Sequence, residues 1–136
     1  MSKKVLIVNA NYYLDISSGL LKSALEILTK KNRVKIINVP GVFEIPVTIS
    51  KNLKKFDGFI ALGCVIKGET DHYHYISQAV TNGIMSVTLE ETKTNTHIIF
   101  GVLTCQNKEL AYVRSGDDNR NKGYEAGLAA IHQINN

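Results

Sequence analysis

Lys67-Gly68-Glu69-Thr70 is a segment suited to holding an anion: it stands just ahead of a helical stretch, where glycine lets exposed N–H groups and the helix dipole approach a phosphate. The same residue types serve a plainer purpose, since Thr70 or Asp71 is also a preferred helix cap. His72 follows at once. An imidazole titrates near neutral pH, so a histidine at a loop–helix junction can pass protons during a reaction, although a single histidine is also a common structural residue. Phe43-Glu44, after the turn-forming Pro40-Gly41, sets an aromatic plate beside a carboxylate able to accept hydrogen bonds from hydroxyl groups, and Tyr12 offers a second plate. Ordinary packing at strand ends accounts for such aromatics as well. Arg114 and Lys122 flank the acidic loop Asp117-Asp118-Asn119-Arg120, where solvated charges are the simplest account of them.

Cys64, His72, His74 and Cys105 are all zinc-ligand types. Their spacing argues against a metal site, because residues two apart on a helix point in different directions and no paired C-x-x-C element is present. The two cysteines lie inside apolar runs and read as reduced, buried small hydrophobes.

Strands and helices must bring these residues together. Val5 to Val8 is continuously apolar, as a strand covered on both faces must be. Ser17/Ser18 then precede apolar residues at 20, 21, 24, 25 and 28, the pattern of a capped helix. Arg33 to Val39 reads as a second strand and Ile45 to Lys55 as a helix with Pro46 in its first turn, where proline is tolerated. Gly58 to Val65 is the third strand, residues 76, 79, 80, 84 and 87 mark one face of the next helix, and Ile98 to Leu103 is the fourth strand. A short helix over Glu109 to Arg114 and a longer one over Gly123 to Ile134, with Tyr124, Leu128 and Ile131 on one face, complete a βαβαβαβαα order. That order predicts a four-stranded parallel sheet between two helix layers, an α/β/α sandwich built by right-handed crossovers. Ligands of open α/β sheets bind beyond the carboxyl ends of the strands, and the segments collected there are 9–13, 40–44, 66–72 and 104–107.

Length and composition set the frame. The chain of 136 residues is expected to form one domain spanning 1–136. Size scaling gives a folded surface of roughly 7,000 Å² against roughly 22,000 Å² unfolded, enough burial to dispense with metal or disulfide support. With 44% apolar and 21% charged residues the composition excludes disordered and fibrous classes. The net charge of +4 is spread over Lys3/Lys4, Lys30/Lys31, Lys51 and Lys54/Lys55 without interleaved aromatics. It therefore predicts solvated helix ends rather than nucleic-acid binding, and suits a phosphate-bearing small substrate equally well. No apolar stretch approaches the roughly 20 residues that span a bilayer, so the expectation is a cytoplasmic protein without a membrane partner.

Four blocks in order, VPGVFEIPV, ALGCVIKGETDHYHYI, IIFGVLTCQNKELAYVRSG and NKGYEAGLAAI, resemble the lumazine synthase family over about Val5 to Ile131. The resemblance implies a flavodoxin-like fold and an enzyme of riboflavin biosynthesis. Such an enzyme condenses 5-amino-6-(D-ribitylamino)uracil with 3,4-dihydroxy-2-butanone 4-phosphate to 6,7-dimethyl-8-ribityllumazine, phosphate and water, with no cofactor and no metal. It also implies active sites shared between neighbours of a homopentamer, alone or as the building block of an icosahedral shell, and association with riboflavin synthase. Position by position, Tyr12 matches the aromatic that stacks on the pyrimidine, and Val42, Phe43 and Glu44 match the segment that binds the ribityl chain. Cys64, Val65 and Ile66 match the strand-end backbone that reads the uracil edge. Gly68, Glu69 and Thr70 match the phosphate loop, and His72 the proton-transfer residue. Phe100 matches the second aromatic wall, Arg114 the phosphate-binding arginine, and Lys122 the nearby basic position.

The sequence departs from the family pattern at three places. Asn9-Ala10-Asn11-Tyr12-Tyr13 lacks the usual Arg-Phe-Asn, so Tyr13 can share the role of Tyr12; Lys67 replaces a common arginine, and Leu110 a common glutamine. A rival reading is a non-catalytic flavin- or nucleotide-binding module on a flavodoxin-like sheet. Residues 9–16 contain no glycine for a phosphate cradle, which weighs against it. A phospho-receiver domain would need a carboxylate cluster for magnesium at the first and third strand ends, and none is there.

Overall fold

Strands with nearly every side chain buried must lie between two helix layers, and the computed structural model, which describes residues 2–136, builds that arrangement. Its elements are β1 (Lys3–Ala10), α1 (Leu14–Leu28), β2 (Asn32–Val39), a 3₁₀ turn (Val42–Glu44), α2 (Ile45–Asn52), a second 3₁₀ turn (Leu53–Lys55), β3 (Gly58–Ile66), α3 (His72–Glu90), β4 (His97–Cys105), α4 (Lys108–Val113) and α5 (Lys122–Ile134). The sheet has the order β2-β1-β3-β4 with every pairing parallel, so β2 and β4 are its edges. This is the flavodoxin-like α/β/α sandwich with a four-stranded sheet.

Alternation along the strands divides the core in two. Val5 and Ile7, Ile60, Leu62 and Cys64, and Ile99, Leu103 and Cys105 pack under α1, α4 and α5. Leu6, Val8 and Ala10, Phe59, Ala61 and Val65, and Ile98 and Val102 pack under α2 and α3. β1, β3 and most of β4 thus face apolar side chains on both sides, which is why their sequences show continuous apolar runs, whereas the edge strand β2, NRVKIINV, buries only Asn32 and Val39.

Three details differ from the sequence expectation. Helix α1 begins at Leu14, three residues before Ser17, and Ser17 is buried inside it with its Oγ donating to the Leu14 carbonyl at 3.3 Å. Ile16 extends the buried stripe to 16, 20, 24 and 28, so the helix gains an earlier turn of core contact. On α3, Ala79 is exposed and Ile76 only half-buried, while Tyr73, Val80, Ile84 and Val87 form the core face. On α5, Leu128 is exposed and Tyr124 and Ile131 are half-buried; the packed face is Gly123, Ala126, Gly127, Ala130 and Ile134.

The α5 difference has a steric cause. A Cβ on Gly123 would meet the backbone carbonyl of Leu20, and one on Gly127 would press on Ile27. Small residues therefore let α5 lie against α1, a closeness that a search for large apolar residues overlooks. Asn121 completes the junction while fully buried: its Nδ2 donates to the carbonyls of Gly19 (3.1 Å) and Gly116 (2.8 Å), and its Oδ1 accepts the Tyr124 N–H to cap α5.

Candidate functional site

The residues singled out by the sequence gather in two grooves rather than one. The first, a cavity of about 460 Å³ over the carboxyl ends of β1 and β3, is lined by Tyr12, Tyr13, Gly41, Val42, Phe43, Cys64, Val65, Ile66, His72 and Ile76. Each element delivers its share at its end: β1 the tyrosines, the turn after β2 the Val42-Phe43 pair, β3 the Cys64–Ile66 strand end, and the first residue of α3 the imidazole. Tyr12 is 72% exposed and Phe43 61%, unusual for side chains that find cover so readily elsewhere. The Tyr12 and Tyr13 rings meet edge to face at 4.9 Å, so both stand at the same mouth.

His72 lies exposed at the start of α3, with its backbone N–H donating to the Thr70 Oγ1 at 3.3 Å. Asp71 holds the cap position without a side-chain bond, so Thr70 supplies the capping oxygen. Gly68, Glu69 and Thr70 form an exposed loop and line neither groove. Glu44 closes its 3₁₀ turn half-buried and stays off the lining.

The second groove, about 420 Å³, opens along the outer edge of β4 and is lined by Phe100, Val102, Leu103, Thr104, Cys105, Gln106, Leu110, Val113, Arg114 and Lys122. Its cations are held from behind. Arg114 donates through Nε to the Arg120 carbonyl at 2.7 Å and through Nη2 to Glu125 Oε2 at 3.0 Å, while Lys122 Nζ meets Glu125 Oε1 at 3.1 Å. One carboxylate thus bridges both cations, and Lys122 Nζ also lies 6.0 Å from the centre of the Phe100 ring. The Lys122 hydrogen bond, helped by the charges of Lys122 and Arg114, holds the Glu125 carboxyl below its ordinary range. Arg114 and Lys122 are thus more than solvated charges beside a loop. Sequence reasoning missed Glu125, although its position three residues after Lys122 on one helix was the available signal.

Cys64 and Cys105 lie side by side between the grooves, each lining one of them. Burial, with Cys105 as neighbour, pushes the Cys64 thiol from 9.0 up to about 12. The folded state therefore favours the protonated thiol. That contribution to stability is complete below the ordinary thiol range and is lost as pH rises toward 12. We expect the urea midpoint to fall above about pH 9, and Cys64→Ser to flatten that alkaline decline. The two cysteines and the exposed His72 and His74 do not converge, and among the described residues no group of three His, Cys, Asp or Glu side chains is placed to hold a metal ion.

A flavodoxin-like domain with an aromatic groove at its strand ends and a separate cationic groove at its sheet edge is the class that fold and site define. The family model described as 6,7-dimethyl-8-ribityllumazine synthase matches residues 2–136. A 6,7-dimethyl-8-ribityllumazine synthase of Buchnera aphidicola subsp. Baizongia pistaciae (strain Bp) is 39% identical over 140 aligned positions, covering 98% of this chain and 86% of the relative. The chain belongs to the 6,7-dimethyl-8-ribityllumazine synthase family, enzymes of the transferase class that serve riboflavin biosynthesis.

Proposed function

We propose that the protein condenses 5-amino-6-(D-ribitylamino)uracil with 3,4-dihydroxy-2-butanone 4-phosphate, releasing phosphate and water as 6,7-dimethyl-8-ribityllumazine forms. The observation that carries this reading is the convergence of Tyr12, Tyr13, Val42, Phe43, Cys64, Val65, Ile66 and His72 on one groove at the strand ends. A flat uracil fits between aromatic side chains there, with its polar edge on the backbone of Cys64–Ile66 and its ribityl chain along Val42-Phe43, within reach of Glu44.

The chemistry sets the remaining needs. The amine attacks the ketone and water leaves to give an imine, phosphate is eliminated to leave an enol that becomes a carbonyl, and the second amine closes the ring on that carbonyl with loss of a second water. Each stage moves a proton, and His72 at the groove mouth is the group that takes and returns it. The departing phosphate needs cations, supplied by Arg114 and Lys122, with the N–H groups of Gly68, Glu69 and Thr70 closing over it. Holding both reactants in line supplies much of the remaining acceleration.

Arg114 and Phe100 belong to the edge groove of β4, apart from His72. A neighbouring copy that lays its edge groove against this chain's strand-end groove completes the site. Several exposed apolar side chains favour such a homo-oligomer: Leu14 is 68% exposed, and Leu110 and Val113 rim the edge groove at 46% and 40%. A homopentamer, single or assembled into a shell that associates with riboflavin synthase, is the form we assign.

The assay is direct. The purified protein, given the two substrates and no added metal, should form the lumazine chromophore. Mixtures of His72→Ala and Arg114→Ala chains should regain activity after subunit exchange, because some sites then carry both native residues. Absence of product from the wild type would refute the reaction, and failure of the mixture to recover would refute the shared site.

A further inference from the structure

We propose that a third concave surface, ringed by Lys4, Lys35, Lys54 and Lys55 and floored by Ile37 and Phe56, binds a polyphosphate chain, either free or carried by a nucleoside. The cavity measures about 490 Å³ and is lined by these residues together with Asn52. It lies on the flank of the edge strand β2, toward the amino ends of β1 and β3, and shares no residue with either groove of the candidate site.

The fold creates it by stopping a helix early. Lys4 is in step, two residues apart, with the core residues Leu6 and Val8, and Lys35 and Ile37 are in step with Val39, so these side chains share the α2 side of the sheet. Helix α2 ends at Asn52, and the chain turns through Leu53–Lys55 before entering β3 at Gly58. The lower part of that sheet face is left to lysines and to the half-buried Phe56. In sequence the four lysines are scattered over about fifty positions; Lys4, Lys54 and Lys55 read as solvated helix ends, and Lys35 drew no reading. Folding places them around one hollow.

Their charges are uncompensated. Among the described residues the ion pairs involve Lys22, Arg114, Arg120 and Lys122, and none involves a lysine of this hollow. The carboxylate of Asp57 accepts the backbone N–H of Lys4 at 2.8 Å and forms no ion pair with its ammonium. Lys4 Nζ lies 5.6 Å from the centre of the Phe56 ring, which gives it a partial counter-charge. Asn52 Nδ2 gives one of its two hydrogens to the Thr48 carbonyl, so the ammonium groups supply most of the donors.

Several like charges facing one space repel each other, and an anion with charge distributed along its length relieves that repulsion at several points together. A monophosphate reaches one or two ammoniums; a chain of phosphoryl groups reaches lysines on all three segments. Ile37 and Phe56 add an apolar floor that a nucleoside carrier would cover. The inference is independent of the reaction proposed above.

Calorimetric titration of the assembled protein at low ionic strength with tripolyphosphate, ATP and AMP tests it. Tripolyphosphate and ATP should each saturate with one equivalent per chain, AMP should bind at least about tenfold more weakly, and affinity should fall as salt is added. Tighter binding of ATP than of tripolyphosphate would identify a nucleoside carrier on Phe56, and equal binding a free chain; either supports the site. Lys35→Glu and Lys54→Glu, both exposed positions, should each weaken binding about tenfold or more, whereas Arg114→Ala, which removes a cation of the groove along β4, should leave it in place. No saturable binding of tripolyphosphate, or binding abolished by Arg114→Ala and indifferent to both lysine variants, would overturn the proposal.

Discussion

His72→Ala is expected to lower kcat by about 10²- to 10⁴-fold while leaving KM for both substrates within a few-fold. The imidazole stands exposed at the mouth of the strand-end groove and contributes little to holding it: the groove walls come from β1, β3 and the turn after β2. Removing it therefore deletes proton transfer without reshaping the pocket. The backbone N–H that Thr70 accepts survives the substitution, so the start of α3 remains capped. Stability should change by less than about 0.5 kcal/mol, as for exposed positions generally. Steady-state kinetics combined with a urea titration of the same variant separates the two effects. An unchanged kcat would remove His72 from the reaction, and a lost kcat accompanied by a collapsed urea midpoint would reassign it to structure.

The sheet was legible because its physics is local. Val5–Val8, Gly58–Val65 and Ile98–Leu103 announce burial on both faces by unbroken apolar runs, and the structure lengthens those strands by a few residues. Helix faces were harder to read wherever the packing depends on small residues. Gly123, Ala126, Gly127 and Ala130 carry almost no hydrophobic signal, yet they form the face that α5 presents to the core, because close approach favours side chains that are nearly absent. The start of α1 was misplaced for a related reason: two serines suggest a cap, but Ile16 gains more by joining the buried stripe, and Ser17 satisfies itself on the Leu14 carbonyl.

Site residues divide in the same way. Those fixed by position at a strand end, such as Tyr12, Val42 and His72, could be grouped from topology alone, and they line one groove together with Cys64, which only the family resemblance pointed to. Arg114, Lys122 and Phe100 lie on three separate segments, and only tertiary structure shows that they share an edge groove. Glu125 escaped notice because an acidic residue on an exposed helix turn looks like solvation until its two cationic partners are in place. The lysines around Phe56 escaped for the opposite reason, since each was noticed or passed over singly and only the fold makes them neighbours.

Arg114→Ala should reduce kcat/KM for the phosphate substrate by about 10²- to 10³-fold, chiefly through KM, with KM for the uracil substrate nearly unchanged. The magnitude follows from a pair of charge-assisted hydrogen bonds lost to a dianion, each worth about 1.5–3 kcal/mol before solvent exposure reduces it. The guanidinium is already oriented: Nε is bound to the Arg120 carbonyl and Nη2 to Glu125, which leaves the rest of the fork to meet a ligand in the groove. Orientation before binding spares the entropy that a free arginine would lose on binding. Arg114→Lys should recover part of the affinity, because the charge returns without the planar fork. Glu125→Gln tests the holding contact by itself. It removes the carboxylate that bridges Arg114 and Lys122, so KM for the phosphate substrate should rise several-fold while kcat at saturation is retained. An equal loss in kcat across all three variants would mean that Arg114 acts in the transition state rather than in binding, and would transfer it from the phosphate to the reacting centre.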